Sequence, residues 1–284
     1  MFSYRHAFHA GNHADVLKHI VLLAMLEAFK RKDAPFFVLD THAGRGRYLL
    51  QGEQAEKTGE ARSGVVRLLV LGNLPGAIQR YLKRVQADNP VGALVNYPGS
   101  PLLVAQSMRD HDRLVACELQ PEEARALEQL FRGDGRVHPE ARDGYAAVKA
   151  LLPPKEKRGF VLIDPPYEAQ EEEYPRIASA LADGLQRWPT GCYAVWYPIK
   201  QGRTLQAFMR KVATLPCKSI LRAELLVRAD DSPLRLNGSG MLVLNPPWKL
   251  DQELAHALPV LAKLLGDSEG SGASRLDWLK REGE

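Results

Sequence analysis

The chain has 284 residues, 45% hydrophobic and 25% charged, with a formal net charge of +4. This is the balance of a globular chain with a substantial core, one large domain or one domain with an insertion, and it excludes disordered and fibrous classes. No apolar run reaches the roughly 18 to 20 residues of a membrane span, the first residues lack the apolar centre of a signal peptide, and Cys117, Cys192 and Cys217 are odd in number without paired spacing, which suggests neither a disulfide framework nor a zinc knuckle.

A cytoplasmic protein is expected, and its mildly basic charge does not by itself assign a nucleic-acid partner. The first nineteen residues contain His6, His9, His13 and His19. Gly11-Asn12 interrupts any helix before Ala14, and no Cys or carboxylate cluster completes a ligand shell, so no metal is expected. Tyr4, Arg5 and His6 read instead as a polar, aromatic arm that meets substrate. Apolar residues at helical spacing run from Asp15 to Phe29, and Lys18 and His19 at the start of that helix approach a cofactor. Phe36 to Leu39 is a strand that stops at Asp40-Thr41-His42-Ala43-Gly44-Arg45-Gly46. Helical patterns at 60–71 and 75–88, broken at Gly72-Asn73 and Asp88-Asn89-Pro90, form a small insertion. Tyr97-Pro98-Gly99-Ser100-Pro101 opens another helix, with Ser100 as its N-cap and Pro101 as its first residue. The strand Leu114 to Cys117 ends at Glu118, and the segment Arg136 to His138 leads to Asp143-Gly144. Phe160 to Ile163 ends at Asp164-Pro165-Pro166-Tyr167. Strands at 193–197, 220–227 and 241–244 follow, the last two separated by a turn around Asn237-Gly238, and the tail from Gly266 on, rich in Gly, Ser and charge, is expected to be loosely ordered.

Strands alternating with helices predict an α/β fold, a mostly parallel sheet with helices on both faces. Ligands bind outside the carboxyl ends of such strands, and four of these ends are acidic: Asp40, Glu118, Asp143 and Asp164. The tetrapeptide at Asp164 is suited to gripping a planar amine. Asp164 and the Pro165 carbonyl are acceptors, neither proline offers a competing N–H, and Tyr167 offers a flat ring. The exocyclic amine of adenine, its lone pair delocalised into the ring, becomes nucleophilic only when such acceptors draw on its protons.

The loop after Asp40 lacks the third glycine of a dinucleotide fingerprint, because Leu49 stands there, and it lacks the Lys-Ser or Lys-Thr of a phosphate loop. A nicotinamide dehydrogenase is disfavoured on that ground. Glu118 can accept from both hydroxyls of a ribose, Asp143 with Gly144 can contact an adenine edge, and the helix start at Ser100 can take a carboxylate. Together these suit S-adenosylmethionine. Asn245-Pro246-Pro247-Trp248 is a second candidate tip, but its place after a reversed strand near the chain end puts it away from Glu118 and Asp143, so catalysis is assigned to Asp164.

Three stretches resemble the RlmJ family of ribosomal RNA methyltransferases closely: 3–19, Leu39 to Gly44 and Tyr97 to Pro101. So do Leu162 to Glu168 and the segment from Ser239 through Leu250. The resemblance implies a Rossmann-like class I methyltransferase with a small helical insertion, transferring methyl from S-adenosylmethionine to N6 of one adenosine in 23S rRNA, and the cost of unstacking that base leads one to expect protein-free rRNA as the preferred substrate. It implies cofactor contacts from Lys18, His19, His42, Ser100, Glu118, Asp143 and Gly144, Asp164 as catalytic acceptor, and RNA contacts from Tyr4 and His6; with the reading of the tip, Pro165 and Tyr167 are expected to share the catalytic role and Asp164 also to meet the cofactor. The expected organisation is a methyltransferase domain over 1–48 and 97–265 with residues 1–13 as its arm, the insertion over 49–96 and a flexible tail over 266–284, in a monomer. Arg45 departs from the family, where a small residue is expected. A DNA adenine methyltransferase and a non-catalytic RNA-binding module of the same fold are the alternatives.

Overall fold

The computed structural model describes residues 9–50, 59–167, 170–200, 204–229 and 236–283, so Tyr4 and His6 lie outside the described residues. The first helix, α1 (His13–Lys30), is capped by Asn12, whose side chain accepts from the Ala14 and Asp15 N–H groups. Residues 14–26 of it are buried all round, as in a helix sandwiched inside a molecule. Strand β1 (Phe37–Asp40) follows, then β2 (Arg47–Leu49), α2 (Glu60–Ser63), α3 (Val65–Leu69), α4 (Gly76–Ala87) and β3 (Asn96–Pro98). The chain continues through α5 (Ser100–Ala105), β4 (Arg113–Cys117), α6 (Pro121–Leu130), β5 (Val137–Glu140), α7 (Gly144–Leu151) and β6 (Gly159–Ile163). It ends with α8 (Gln170–Arg187), β7 (Cys192–Ile199), α9 (Thr204–Ala213), β8 (Ile220–Leu226), β9 (Gly238–Leu244), α10 (Leu250–Leu265) and β10 (Ala273–Lys280).

Eight strands form one sheet in the order β10-β8-β9-β7-β6-β1-β4-β5. The five from β5 to β7 are parallel, and β9, β8 and β10 join by antiparallel pairing. Alternation along the strands feeds two cores. Val38, Leu114, Phe160 and Ala194 face α1, α5, α10 and the helices of 60–87, whereas Leu39, Val115, Val161 and Val195 face α7, α8 and α9. Parallel strands buried on both faces are apolar throughout, which is why they were legible as short apolar runs. From β1 the chain moves outward to β4 and β5, then returns to β6 and β7 on the other side. The resulting switch point beside β1 opens the crevice in which such Rossmann-like sheets bind ligands.

Three expectations change. The tail at 266–284 is not loose throughout: β10 pairs with β8 along its length, Leu276 and Trp278 pack on the core, and Arg222 forms a two-pronged ion pair with Asp277. Its polar composition reflects an edge strand with one solvated face. The helical pattern at 60–71 breaks at Gly64, because a Cβ there would sit 2.1 Å from the Gly11 carbonyl oxygen, and Val65 N–H donates to that oxygen at 2.9 Å. Asn237-Gly238 is no turn: Asn237 N–H donates to Ile199 O and Gly238 already belongs to β9.

Candidate active site

A cavity of about 1000 Å³ opens over the carboxyl ends of the parallel strands, at the upper end of the roughly 300–1,000 Å³ usual for a single small ligand. Gly44, Glu118, Asp143 and Gly144 line it on the side of β4 and β5, His42 and Ser100 beside β1, and Asp164 to Tyr167, Trp196, Pro198 and Lys200 on the side of β6 and β7. Of the four acidic strand ends, three line it. Asp40 does not: it is fully buried and accepts from the Ser100 hydroxyl at 2.6 Å, and burial pushes its carboxyl up to about 7.

Lys18, buried on the first turns of α1, reaches Asp164 Oδ2 at 2.6 Å and Asp15 Oδ1 at 2.9 Å. Burial alone would lower the ammonium, yet the two carboxylates hold it well above its ordinary value. Asp164 Oδ1 has no hydrogen-bond partner among the described residues. One oxygen is therefore anchored and the other is available on a residue that lines the cavity. Asp15 was not singled out in the sequence, although its spacing of three from Lys18 on a helix was the signal for it. His19 is fully buried and its Nδ1 lies 2.8 Å from the Tyr97 hydroxyl, itself 2.9 Å from that of Tyr81 on α4. A chain of buried hydrogen bonds thus runs from the insertion to α1, and nothing in the local sequence announces it.

Thr41 donates its hydroxyl proton to Leu162 O, so the contact at 2.8 Å from Thr41 Oγ1 to His42 Nδ1 has the imidazole as donor. Burial lowers His42 to about 4, which keeps the ring neutral and leaves Nε2 with a lone pair. Glu118 already accepts from Gly44 N–H and Gln120 N–H, one on each oxygen, and burial raises its carboxyl. Two lone pairs remain for the paired hydroxyls of a ribose. Asp143 caps α7, Oδ1 accepting from Tyr145 and Ala146 N–H, while Oδ2 lies 3.4 Å from Arg176. Gly144 is required beside it, since a Cβ would stand 2.0 Å from Thr41 O. Ser100 is not the N-cap. Gly99 caps α5, Ser100 is its first residue, and the hydroxyl expected to cap the helix is spent on Asp40.

Tyr167 holds a positive φ of 49° and is buried; its hydroxyl donates to Trp196 O at 2.6 Å and its ring meets Trp196 and Tyr174 edge-on. The ring lines the cavity as part of a fixed aromatic wall with Trp196, a residue that sequence reading passed over as plain strand. Arg45, the departure from the family pattern, places its guanidinium on both oxygens of Glu123 on α6. The second Pro-Pro motif is a structural corner: the Asn245 amide donates to Pro189 O and Gly191 O and accepts from Lys218 N–H. Among the described residues no cluster of His, Cys, Asp or Glu is placed to hold a metal, and no helix is long and apolar enough to cross a membrane.

The chain is similar to known proteins along nearly its whole length. Residues 33–280 match the family described as Ribosomal RNA large subunit methyltransferase D, RlmJ. The protein named Ribosomal RNA large subunit methyltransferase J of Escherichia coli (strain K12) is 42% identical, the match covering 99% of this chain and 100% of the relative. Its namesake in Haemophilus influenzae (strain ATCC 51907 / DSM 11121 / KW20 / Rd) is 44% identical with the same coverage. A crystal structure of a Legionella pneumophila protein superposes with a TM-score of 0.88 at 35% identity, covering 97% of this chain and 99% of that one.

Proposed function

Since the chain belongs to the RlmJ family of ribosomal RNA large subunit methyltransferases, we propose that this S-adenosylmethionine-dependent enzyme methylates N6 of one adenosine in 23S rRNA. The observation that carries the reading is the half-anchored Asp164, one oxygen locked to Lys18 and the other available, next to a rigid Pro-Pro corner on the cavity over the strand ends. Glu118, Asp143, Gly144, His42 and Ser100 are assigned to the cofactor with Lys18, His19 and Asp164. The fit rests on the spare lone pairs of Glu118, the neutral His42 ring and the tight Gly144 floor. When bound, the cofactor supplies a methyl carbon made electrophilic by its sulfonium and leaves as a neutral thioether.

The chain's own residues do the rest. Asp164 Oδ1 and the Pro165 carbonyl accept from the two N6 protons, drawing the amine lone pair out of conjugation and toward the methyl. N6 gains the carbon and sheds a proton, for which Asp164 Oδ1 is the nearest base. Tyr167 and Trp196 wall the purine. Alignment of this kind contributes on the order of 7–11 kcal/mol, and no metal is needed. The target base must leave its stack, which costs a few kcal/mol and is easier in RNA stripped of protein. Tyr4 and His6 are assigned to the RNA on the family resemblance.

Nucleoside mass spectrometry of 23S rRNA incubated with protein and labelled cofactor should show N6-methyladenosine. Label appearing on another base or on a hydroxyl would refute the assignment. Protein-free rRNA should be modified faster than the assembled subunit, and a ribo-oligonucleotide faster than its deoxy counterpart at fixed salt.

A further inference from the structure

At the far end of the sheet the Asn245-Pro246-Pro247 corner ends in Trp248, which is 72% exposed. It is an aromatic ring standing among cations. The Arg31 guanidinium lies 5.7 Å from the ring centroid and donates to the Trp248 carbonyl at 3.0 Å, and Lys249 Nζ lies 4.3 Å from the centroid. Lys32 follows Arg31 at the exposed end of α1. Of the neighbouring acids, Glu27 pairs with Lys30, Asp33 with Arg109 and Glu253 with Arg80, and Asp251 lies in the first turn of α10. Arg31, Lys32 and Lys249 have no carboxylate partner among the described residues.

We infer that Trp248 is a second RNA contact, a platform on which an unpaired base of the substrate stacks while Arg31 and Lys249 take its phosphates. The inference rests on the rRNA substrate proposed above and extends it to a surface that takes no part in the chemistry. An apolar groove for a protein partner would need several neighbouring apolar side chains, whereas this patch has one ring with two cations, Arg31 and Lys249, held against it. A π-face beside cations matches a base and its phosphate, and such stacking tolerates any base. Because β9 runs antiparallel to β7, Trp248 lies at the opposite end of the sheet from the cavity. The eight residues of β7 span roughly 25 Å at 3.3 Å per residue. A single nucleotide cannot reach both sites, so the contact belongs to a folded RNA and not to a short strand.

The test compares Trp248→Ala with Trp248→Phe on protein-free 23S rRNA. Trp248→Ala should raise the Kd for the RNA in filter binding, and the KM for methylation, on the order of tenfold. S-adenosylmethionine affinity should stay unchanged, and Trp248→Phe should recover most of the loss. Arg31→Gln and Lys249→Gln should each reduce the slope of log affinity against log salt by about one. Binding and KM within twofold of the parent for Trp248→Ala would overturn the inference. So would unchanged RNA binding with lost binding to phosphatidylglycerol vesicles, which would make the patch a membrane contact. Were the parent protein to bind rRNA without methylating it, the functional reading would fall while the filter-binding comparison still decided the role of Trp248.

Discussion

Asp164 combines a structural and a chemical duty on its two oxygens. Oδ2 belongs to the buried Lys18 ion pair, so an amide at this position keeps shape while losing charge and basicity. Asp164→Asn should lower methyl transfer on the order of 100-fold or more, with cofactor affinity within a few-fold by calorimetry. Turnover within tenfold of the parent would remove Asp164 from the chemistry. Gly144→Ala tests the cofactor floor: the new Cβ would collide with Thr41 O, and backbone cannot swing aside as a side chain can. Cofactor affinity should fall more than tenfold while the far-ultraviolet spectrum is retained, and a Kd within twofold would show that the floor tolerates the shift. Asp40 and His42 carry opposite pH signatures. The Asp40 carboxyl, raised from 3.8 to about 7, contributes stability that is present below 3.8 and lost as pH climbs to 7. His42 and His13, lowered by burial from 6.5 to about 4, contribute stability that is present above 6.5 and lost as pH falls to 4. Asp40→Asn removes the first effect, so its melting temperature relative to the parent should rise steadily from pH 4 to pH 7. A difference independent of pH would mean that Asp40 is not titrating in that window.

Among the elements, β10 departs furthest from what its composition suggested. It covers the edge of β8, and its Leu276 and Trp278 side chains pack on the core. Ending the chain after Gly272 would strip that edge, remove both side chains and uncover the core surface on which they pack. Both side chains are only half-buried, so each falls short of the roughly 1.5–3 kcal/mol of full burial, and the melting temperature should drop by about 3–5 °C for a domain of this size. Size-exclusion chromatography should also show self-association through the bared strand. An unchanged melting curve would make β10 a passive appendage. The two Pro-Pro corners make a related point. Asp164 and Asn245 both follow a strand and precede two prolines, yet β6 and β9 run in opposite directions, so one corner meets the cavity and the other ties down backbone carbonyls.

Over the whole molecule, the insertion is fastened to the body by contacts far apart in sequence. Val65 N–H donates to Gly11 O, Arg67 to Gly266 O, Arg80 pairs with Glu253, and Tyr81 reaches His19 through Tyr97. Insertion and sheet should therefore melt together in a single calorimetric transition, and two resolved transitions would show them to be separate units. The parallel strands, the insertion helices and the acidic strand ends were legible because each is a local pattern: a short apolar run, a period near 3.6, a carboxylate where the run stops. Glu118, Asp143 and Asp164 could be named on that basis. Sequence alone determined the alternation of strand and helix and the chemistry available at the strand ends. Only the tertiary structure decided that Lys18 anchors Asp164, that Asp40 is sealed beneath Ser100 instead of facing the cavity, and that a polar tail becomes an edge strand. Each of these joins residues distant along the chain, and whether a carboxylate meets an ammonium, a hydroxyl or open space depends on which strands become neighbours, a choice made by burying both faces of one sheet and written in no local stretch of residues.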